Sequence, residues 1–252
     1  MAVIAMIAVA GLIIGIAIGA VGIGGVLLVP FLTLTLGIDV RHAIAATLLS
    51  YLPSCIVAVT LYARRGSIPW REAKYLCFAA LPTAYLGAHA AQHAPTLLLE
   101  GAIGALLLAG GIYALLPPRD VTIAPRRLPA SVLMGIGGGT GFLSALTGAG
   151  GAFVMLPILL LLDIPVLSAI GLGQAIALPI AGLASVANII AGQMDVPLAA
   201  GLAASLTLGI AIGTPIAHAL PQLLLRRLLG SAVVIAGSAM LLRTALRWLN
   251  AA

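Results

Sequence analysis

The chain carries the same glycine-rich pattern twice, at an interval of half its 252 residues. The segment 22–30 places three glycines before an apolar run and a proline, and the segment 148–157 does so again. When the sequence is displaced against itself by 126 positions, nine glycines of the first half fall on glycines of the second. With 13 glycines in one half and 17 in the other, about two would coincide by chance. Because glycine and proline act mainly on the backbone, the sequence predicts two tandem homologous repeats with a common backbone shape.

Apolar segments separated by short polar corners make up almost the whole chain. Hydrophobic residues account for 62% and charged residues for 7%, with a mean hydropathy of +1.24, whereas soluble proteins carry about 25% charged residues. Such a chain cannot cover itself with a polar surface, so its solvent must be lipid. The net charge of +6 lies in short basic clusters at segment ends, which indicates loops anchored on the cytoplasmic side and no nucleic-acid partner.

The order of the segments predicts an all-α polytopic membrane protein with eight to ten transmembrane segments. Residues 1–116 form the first repeat, 117–129 a cytoplasmic linker, and 130–252 the second repeat, all within one integral membrane domain. The segments that follow the glycine clusters, 26–37 and 152–162, are too short to cross a hydrocarbon core of about 30 Å as straight helices. We therefore expect broken or short helices at both clusters.

The relative orientation of the two repeats is not decided by the positive-inside rule. Parallel and inverted repeats each leave nine basic residues inside and three outside, so the two counts are equal. The inverted orientation places Arg41, Arg243 and Arg247 outside. We favour it because the turn 192–195 has no basic residue, unlike its counterpart at 64–74.

The glycine clusters predict unwound backbone at membrane depth. Such backbone is tolerated only where it is buried in protein or lines a watery cavity. A helix that restarts after the cluster presents N–H groups and about half a positive charge to that cavity. Interrupted helices at matching positions in two repeats are typical of a transporter's binding site, although close helix packing is the alternative. The predicted substrate-binding glycines are Gly22, Gly24, Gly25, Gly148, Gly150 and Gly151.

Several motifs, in this order and twice over, resemble the sulfite exporter TauE/SafE family of membrane permeases. In the first half these are the cluster itself, Ala-Ile-Ala-Ala-Thr at 43–47 and Arg-Gly-Ser-Ile-Pro-Trp-Arg at 65–71. In the second half they are 148–157, Ala-Ile-Gly at 169–171 and Gly-Gln-Met-Asp-Val at 192–196. The resemblance implies a multi-pass permease of the cell (inner) membrane. Its implied function is secondary transport of a small, sulfur-containing anion such as sulfite or an organosulfonate.

Almost no charge lies deep in the spans, so we expect backbone amides and neutral side chains to hold the anion. The candidate side chains are Thr47, Ser50, Tyr51, Gln174 and Asn188. We predict no catalytic residue, no metal ligand set and no cofactor. The partners are the small anionic substrate, the lipid bilayer and a possible coupling proton or ion, while the oligomeric state is not predicted.

Two hypotheses from other functional classes remain open. A channel-like or metal-cation transporter would show a deep carboxylate facing a cavity, and a non-transporting membrane scaffold would show solid packing at the clusters. His89 and His93 share a helix face and are candidates for proton coupling or, with a third ligand, for a metal.

Overall fold

The computed structural model describes residues 2–22, 24–116, 128–219 and 222–251, and these are helical almost throughout with no strand among them. The all-α class is therefore confirmed. The predicted linker lies outside these residues apart from its last two positions. The helices are α1 Ala2–Val21, α2 Gly25–Thr35, α3 Val40–Arg64, α4 Trp70–His93, α5 Thr96–Leu115, α6 Ala130–Thr147, α7 Gly151–Leu161, α8 Val166–Ile190, α9 Val196–Ala219 and α10 Gln222–Ala251.

Helix length and composition fit a membrane. Six helices of the described part are long and apolar enough to cross it, namely α3, α5, α6, α8, α9 and α10. Helices α1 and α4 have 20 and 24 residues and pack lengthwise on α9 and α6, so we infer that they also cross. Helices α2 and α7, at the two glycine clusters, have only eleven residues each, as the sequence predicts.

Helices α3 and α8 end in the same way at equivalent positions. Gly66 and Gly192 have φ values of +67° and +68°, a left-handed conformation that glycine adopts without strain. The next residue in each case, Ser67 or Gln193, donates its N–H to a carbonyl five residues earlier, at 3.1 Å. This is a Schellman cap, which satisfies the last carbonyls and stops the helix. The matched glycines of the sequence thus terminate matched helices.

The first helix of each half packs on the fourth helix of the other half. Helix α1 lies along α9, and α6 lies along α4. The approach is backbone to backbone: a methyl group added at Gly213 would lie 2.2 Å from the carbonyl oxygen of Ile16, and one added at Gly87 would lie 2.3 Å from that of Phe142. These two pairs are related by the 126-residue displacement. Equivalent positions therefore make equivalent contacts in the two halves.

Equivalent helices also pack against each other, α5 on α10 and α3 on α8. Gly104 lies against Leu241, and Gly111 lies against Val234. Residue numbers thus rise along α5 while they fall along α10, so the two helices are antiparallel. Because α5 and α10 occupy the same place in their halves, we infer that the halves are inverted with respect to the membrane.

The arginines that the inverted orientation places outside lie at one end of the bundle. Arg41 donates to the carbonyl oxygen of Ala94 at 2.9 Å, just before α5 begins. Arg247 makes a 2.8 Å ion pair with Glu100 in the second turn of α5. Parallel repeats would put Arg41 and Arg247 on opposite sides of the membrane, so these contacts favour inversion.

Labelling of matched cysteines would measure the orientation. In a background with Cys55→Ala and Cys77→Ala, we expect Ser67→Cys to react with an impermeant maleimide only after the membrane is opened. We expect Gln193→Cys, its counterpart, to react in intact cells, because the two caps lie on opposite faces. The cysteine-free protein is the control, and labelling of both positions from one side would contradict inversion.

Candidate functional site

Each glycine turn lies against the third helix of the other half. Gly22 and Gly148 have φ values of +72° and +69°, so a side chain at either position would strain the backbone. A methyl group added at Gly22 would lie 3.2 Å from Cγ2 of Ile170, and one added at Gly148 would lie 3.4 Å from Cα of Ile44. Ile44 and Ile170 are themselves equivalent. The two interruptions therefore meet at the centre of the interface between the halves.

Both short helices begin at these turns without a side-chain cap. Gly24 precedes α2 and Gly150 precedes α7, and neither has a side chain that could accept from the first N–H groups. Those groups have no partner within the helix and carry the positive end of the helix dipole. Helix α7 is regular over eleven residues, whereas α2 passes from a 3₁₀ turn to an α turn and then a π turn. The stronger dipole is thus that of α7.

A small cavity lies between the two helix starts. Its volume is ≈ 20 Å³, room for about one water molecule. The structure brings six of the predicted site residues to its wall: Gly22, Gly25, Tyr51, Gly150, Gly151 and Gln174. The rest of the wall consists of small or aliphatic side chains with Cys55 and Phe153.

Tyr51 of α3 bridges the two glycine clusters. Its hydroxyl oxygen lies 2.2 Å from where a methyl group at Gly25 would be, and its ring lies 3.3 Å from the corresponding point at Gly150. The side chain is 4% exposed, and the hydroxyl has no hydrogen-bond partner in the structure. A buried hydroxyl without a partner costs about 1–3 kcal/mol. The site therefore contains a donor that a bound ligand or water would satisfy.

The equivalent position in the second half is occupied by Ala177, which also lines the cavity. A methyl group at Gly151 would lie 3.2 Å from the backbone nitrogen of Ala177. The equivalent pair in the first half is Gly25 and Tyr51, which are also in contact. At these equivalent positions, the first half thus contributes a hydroxyl to the cavity wall and the second half contributes a methyl group. A ligand would bind in one orientation.

Gln174 of α8 contributes the other polar side chain of the wall. Its amide nitrogen donates to the carbonyl oxygen of Ile18 at 3.4 Å. Ile18 lies in the last turn of α1, and its carbonyl oxygen also accepts from the N–H of Gly22 at 2.9 Å. Gln174 therefore ties α8 of the second half to the interrupted end of α1.

The other predicted site residues lie off the cavity wall. Thr47 is fully buried and its hydroxyl has no partner, while its carbonyl accepts from the Ser50 hydroxyl at 2.7 Å. Gly24 packs on α1, 3.0 Å from the Ile14 carbonyl when a methyl group is added, and Gly148 is the left-handed C-cap of α6. Asn188 is buried near the end of α8, with an unpartnered amide nitrogen.

Sequence reasoning missed Cys55 and Phe153. Cys55 lies one helical turn after Tyr51, and this spacing could have indicated a shared face. The ring of Phe153 extends from α7 towards α5, with Cζ 2.1 Å from the methyl position at Gly110. A large residue in one helix and a glycine in another leave no signal in sequence order.

No charged side chain lines the cavity among the described residues. Glu100, the buried carboxylate, is paired with Arg247. His89 and His93 are exposed, with their ring centroids 4.4 Å apart and the rings tilted by 53°, and neither lines the cavity. Within the described ranges, no three His, Cys, Asp or Glu residues come together as a metal site would require. The side chain of His218, which aligns near them, lies outside the described residues.

Comparison with known proteins agrees with this architecture. The sequence matches the sulfite exporter TauE/SafE family over residues 7–240. It is 27% identical to a probable membrane transporter protein of Methanocaldococcus jannaschii, over 94% of this chain and 95% of that protein. No solved structure matches. With most of its length matched, the chain is a multi-pass membrane protein that belongs to the sulfite exporter TauE/SafE family of membrane transporters.

Proposed function

We propose that the protein is a secondary transporter of a small, sulfur-containing anion such as sulfite or an organosulfonate, which binds between the two glycine turns. The observation that carries this proposal is the buried Tyr51 hydroxyl, which has no partner and lies beside two uncapped helix starts. Each of these groups donates hydrogen bonds or carries partial positive charge. The described wall contains no carboxylate that would suit a cation.

Such a site can hold an anion without a basic side chain. A hydrogen bond to a charged group contributes about 1.5–3 kcal/mol, so three or four donors would give micromolar to millimolar affinity after the cost of association. The donors at hand are the first N–H groups of α7, the Tyr51 hydroxyl and the Gln174 amide. A weak site suits a transporter, since the substrate must also leave.

The cavity must widen to admit such an anion. A volume of ≈ 20 Å³ is close to that of one water molecule, and an oxyanion has at least three more heavy atoms. Tyr51 and Phe153 are the large side chains of the wall, so their rotation would make the room. We interpret the structure as a contracted state between two open ones, in keeping with inverted repeats that rock about a central site.

Transport by purified protein in vesicles tests the substrate. We expect uptake of labelled sulfite or a two-carbon sulfonate that is at least tenfold faster than in protein-free vesicles. Sulfate and phosphate, which have a fourth oxygen on the central atom, should compete less well at equal concentration. Vesicles that move Na⁺, K⁺ or Zn²⁺ and no anion of the panel would refute the proposal.

Substitution of the glycines tests the position of the site. Gly25→Ala puts a methyl group 2.2 Å from the Tyr51 hydroxyl, and Gly151→Ala puts one 2.6 Å from Cγ2 of Ile176. We expect each to lower the transport rate at least tenfold. Gly139→Ala is the matched control, because nothing lies within 4 Å of its methyl position and alanine favours helix.

A second change separates folding from binding. Adding Tyr51→Phe to Gly25→Ala removes the closest clashing atom, so thermal stability should recover in part while transport stays low. If transport in every variant simply follows the yield of folded protein, the turns serve packing alone.

Removal of single donors tests the contacts directly. Tyr51→Phe and Gln174→Leu should each raise the Kd of the transported anion about tenfold, the loss of ~1.4 kcal/mol. Thr47→Val should have a smaller effect, because its hydroxyl lies off the wall. Binding by isothermal calorimetry in detergent is the measurement, and an unchanged Kd in both Tyr51→Phe and Gln174→Leu would place the anion elsewhere.

A further inference from the structure

A groove lined by apolar side chains lies between α1, α2 and α10. Its walls are Leu27, Pro30, Phe31 and Leu34 of α2, with Ile14 of α1 and Ala236 of α10. Its volume of ≈ 250 Å³ is more than ten times that of the central cavity. The hydroxyl of Thr35, at its end, is already bonded to the Phe31 carbonyl. The groove therefore offers almost only hydrocarbon surface.

In the second half, a side chain fills the space that corresponds to the groove. Leu27 corresponds to Phe153, and Ala236 corresponds to Gly110. The Phe153 ring lies directly against Gly110, 2.1 Å from its methyl position. In the first half a shorter side chain faces an alanine, and the space between them stays open. The groove thus results from two side-chain choices on a common backbone.

An arginine binds the backbone next to Leu34 and Thr35, at one end of the groove. Arg243 lies seven residues after Ala236, two turns along the same face of α10 and about 10 Å away. Its Nη1 donates to the carbonyl oxygen of Thr33 at 2.8 Å. Leu27, at the other end, follows Gly25 of the central cavity by two residues. The groove therefore runs from the membrane interior to a cation at the end of the bundle where Arg41 and Arg247 lie.

We propose that this groove holds one acyl chain of an anionic phospholipid, with the lipid phosphate bound by Arg243. Leu34 in its wall is 37% exposed, so the recess is accessible from outside the bundle, where a membrane supplies acyl chains. A run of about 10 Å matches most of one leaflet, half of a core about 30 Å thick. A guanidinium has five N–H donors, and the bond to Thr33 uses one of them. Arginine favours phosphate because it can bind two oxygens at once.

The bound chain would support α2 along its length. Helix α2 has an irregular backbone, and Gly25 at its start lines the central cavity. In the first half, the acyl chain would supply the packing that the Phe153 ring supplies at the equivalent place in the second half. The site is separate from the anion site and does not depend on the identity of the transported substrate.

Native mass spectrometry of the purified full chain in detergent tests the headgroup contact. Phosphatidylglycerol is the anionic probe, and phosphatidylcholine of the same chain length is the neutral one. We expect one phosphatidylglycerol to bind about tenfold more tightly than phosphatidylcholine, and Arg243→Gln to abolish that preference. Arg243→Lys should retain part of it, and Arg227→Gln, an exposed arginine near the other end of α10, should retain all of it.

Filling the groove tests the acyl chain. The double variant Leu27→Phe/Ala236→Gly copies the pair found in the second half and should lower the affinity for both lipids at least fivefold. An unchanged preference in Arg243→Gln would overturn the proposal even if the double variant does not fold. A double variant that folds and binds lipid normally would also overturn the proposal. So would a double variant that changes only the oligomeric state, because the groove would then be an interface between copies of the chain.

Discussion

A backbone that leaves the helix inside a membrane exposes polar groups that lipid cannot satisfy, and this cost governs the whole structure. The helix is interrupted at two places in the chain, at Gly22–Gly25 and at Gly148–Gly151, and this cost arises at both. Neither turn can face lipid, so each must be covered by protein. The structure covers each turn with the third helix of the other half, Ile170 over Gly22 and Ile44 over Gly148. The central position of α3 and α8, the two most enclosed spans, follows from this need.

The sequence predicts the helices well because apolar length and glycine or proline breaks are local signals. The predicted short segments 26–37 and 152–162 differ from α2 and α7 by two residues or fewer at each end. The orientation of the halves could not be derived in this way. Charge counts for the two orientations are equal, and only contacts between distant residues, such as Arg247 with Glu100, distinguish them.

The sequence predicted the backbone features of the site, but it did not predict the side-chain contacts within it. Glycines marked the turns, and Tyr51 and Gln174 followed as polar residues at similar depth. The sequence did not reveal that Tyr51 touches both clusters or that Thr47 does not line the cavity. Both facts depend on how α3 rotates against α8, which local patterns do not encode. Local patterns also did not predict the differences between the halves. At equivalent positions the first half has Tyr51 and Leu27, whereas the second half has Ala177 and Phe153.

The backbone contact of Gly213 with Ile16, repeated by Gly87 with Phe142, has a consequence for ancestry. Each half lends its first helix to the other, so a half made alone would leave that helix without its main partner. An ancestor of half this length could bury the same surface only against a second copy inserted upside down. Gene duplication would then have fused two oppositely oriented subunits. On this account, the exchanged helices would be what remains of such a dual-topology dimer.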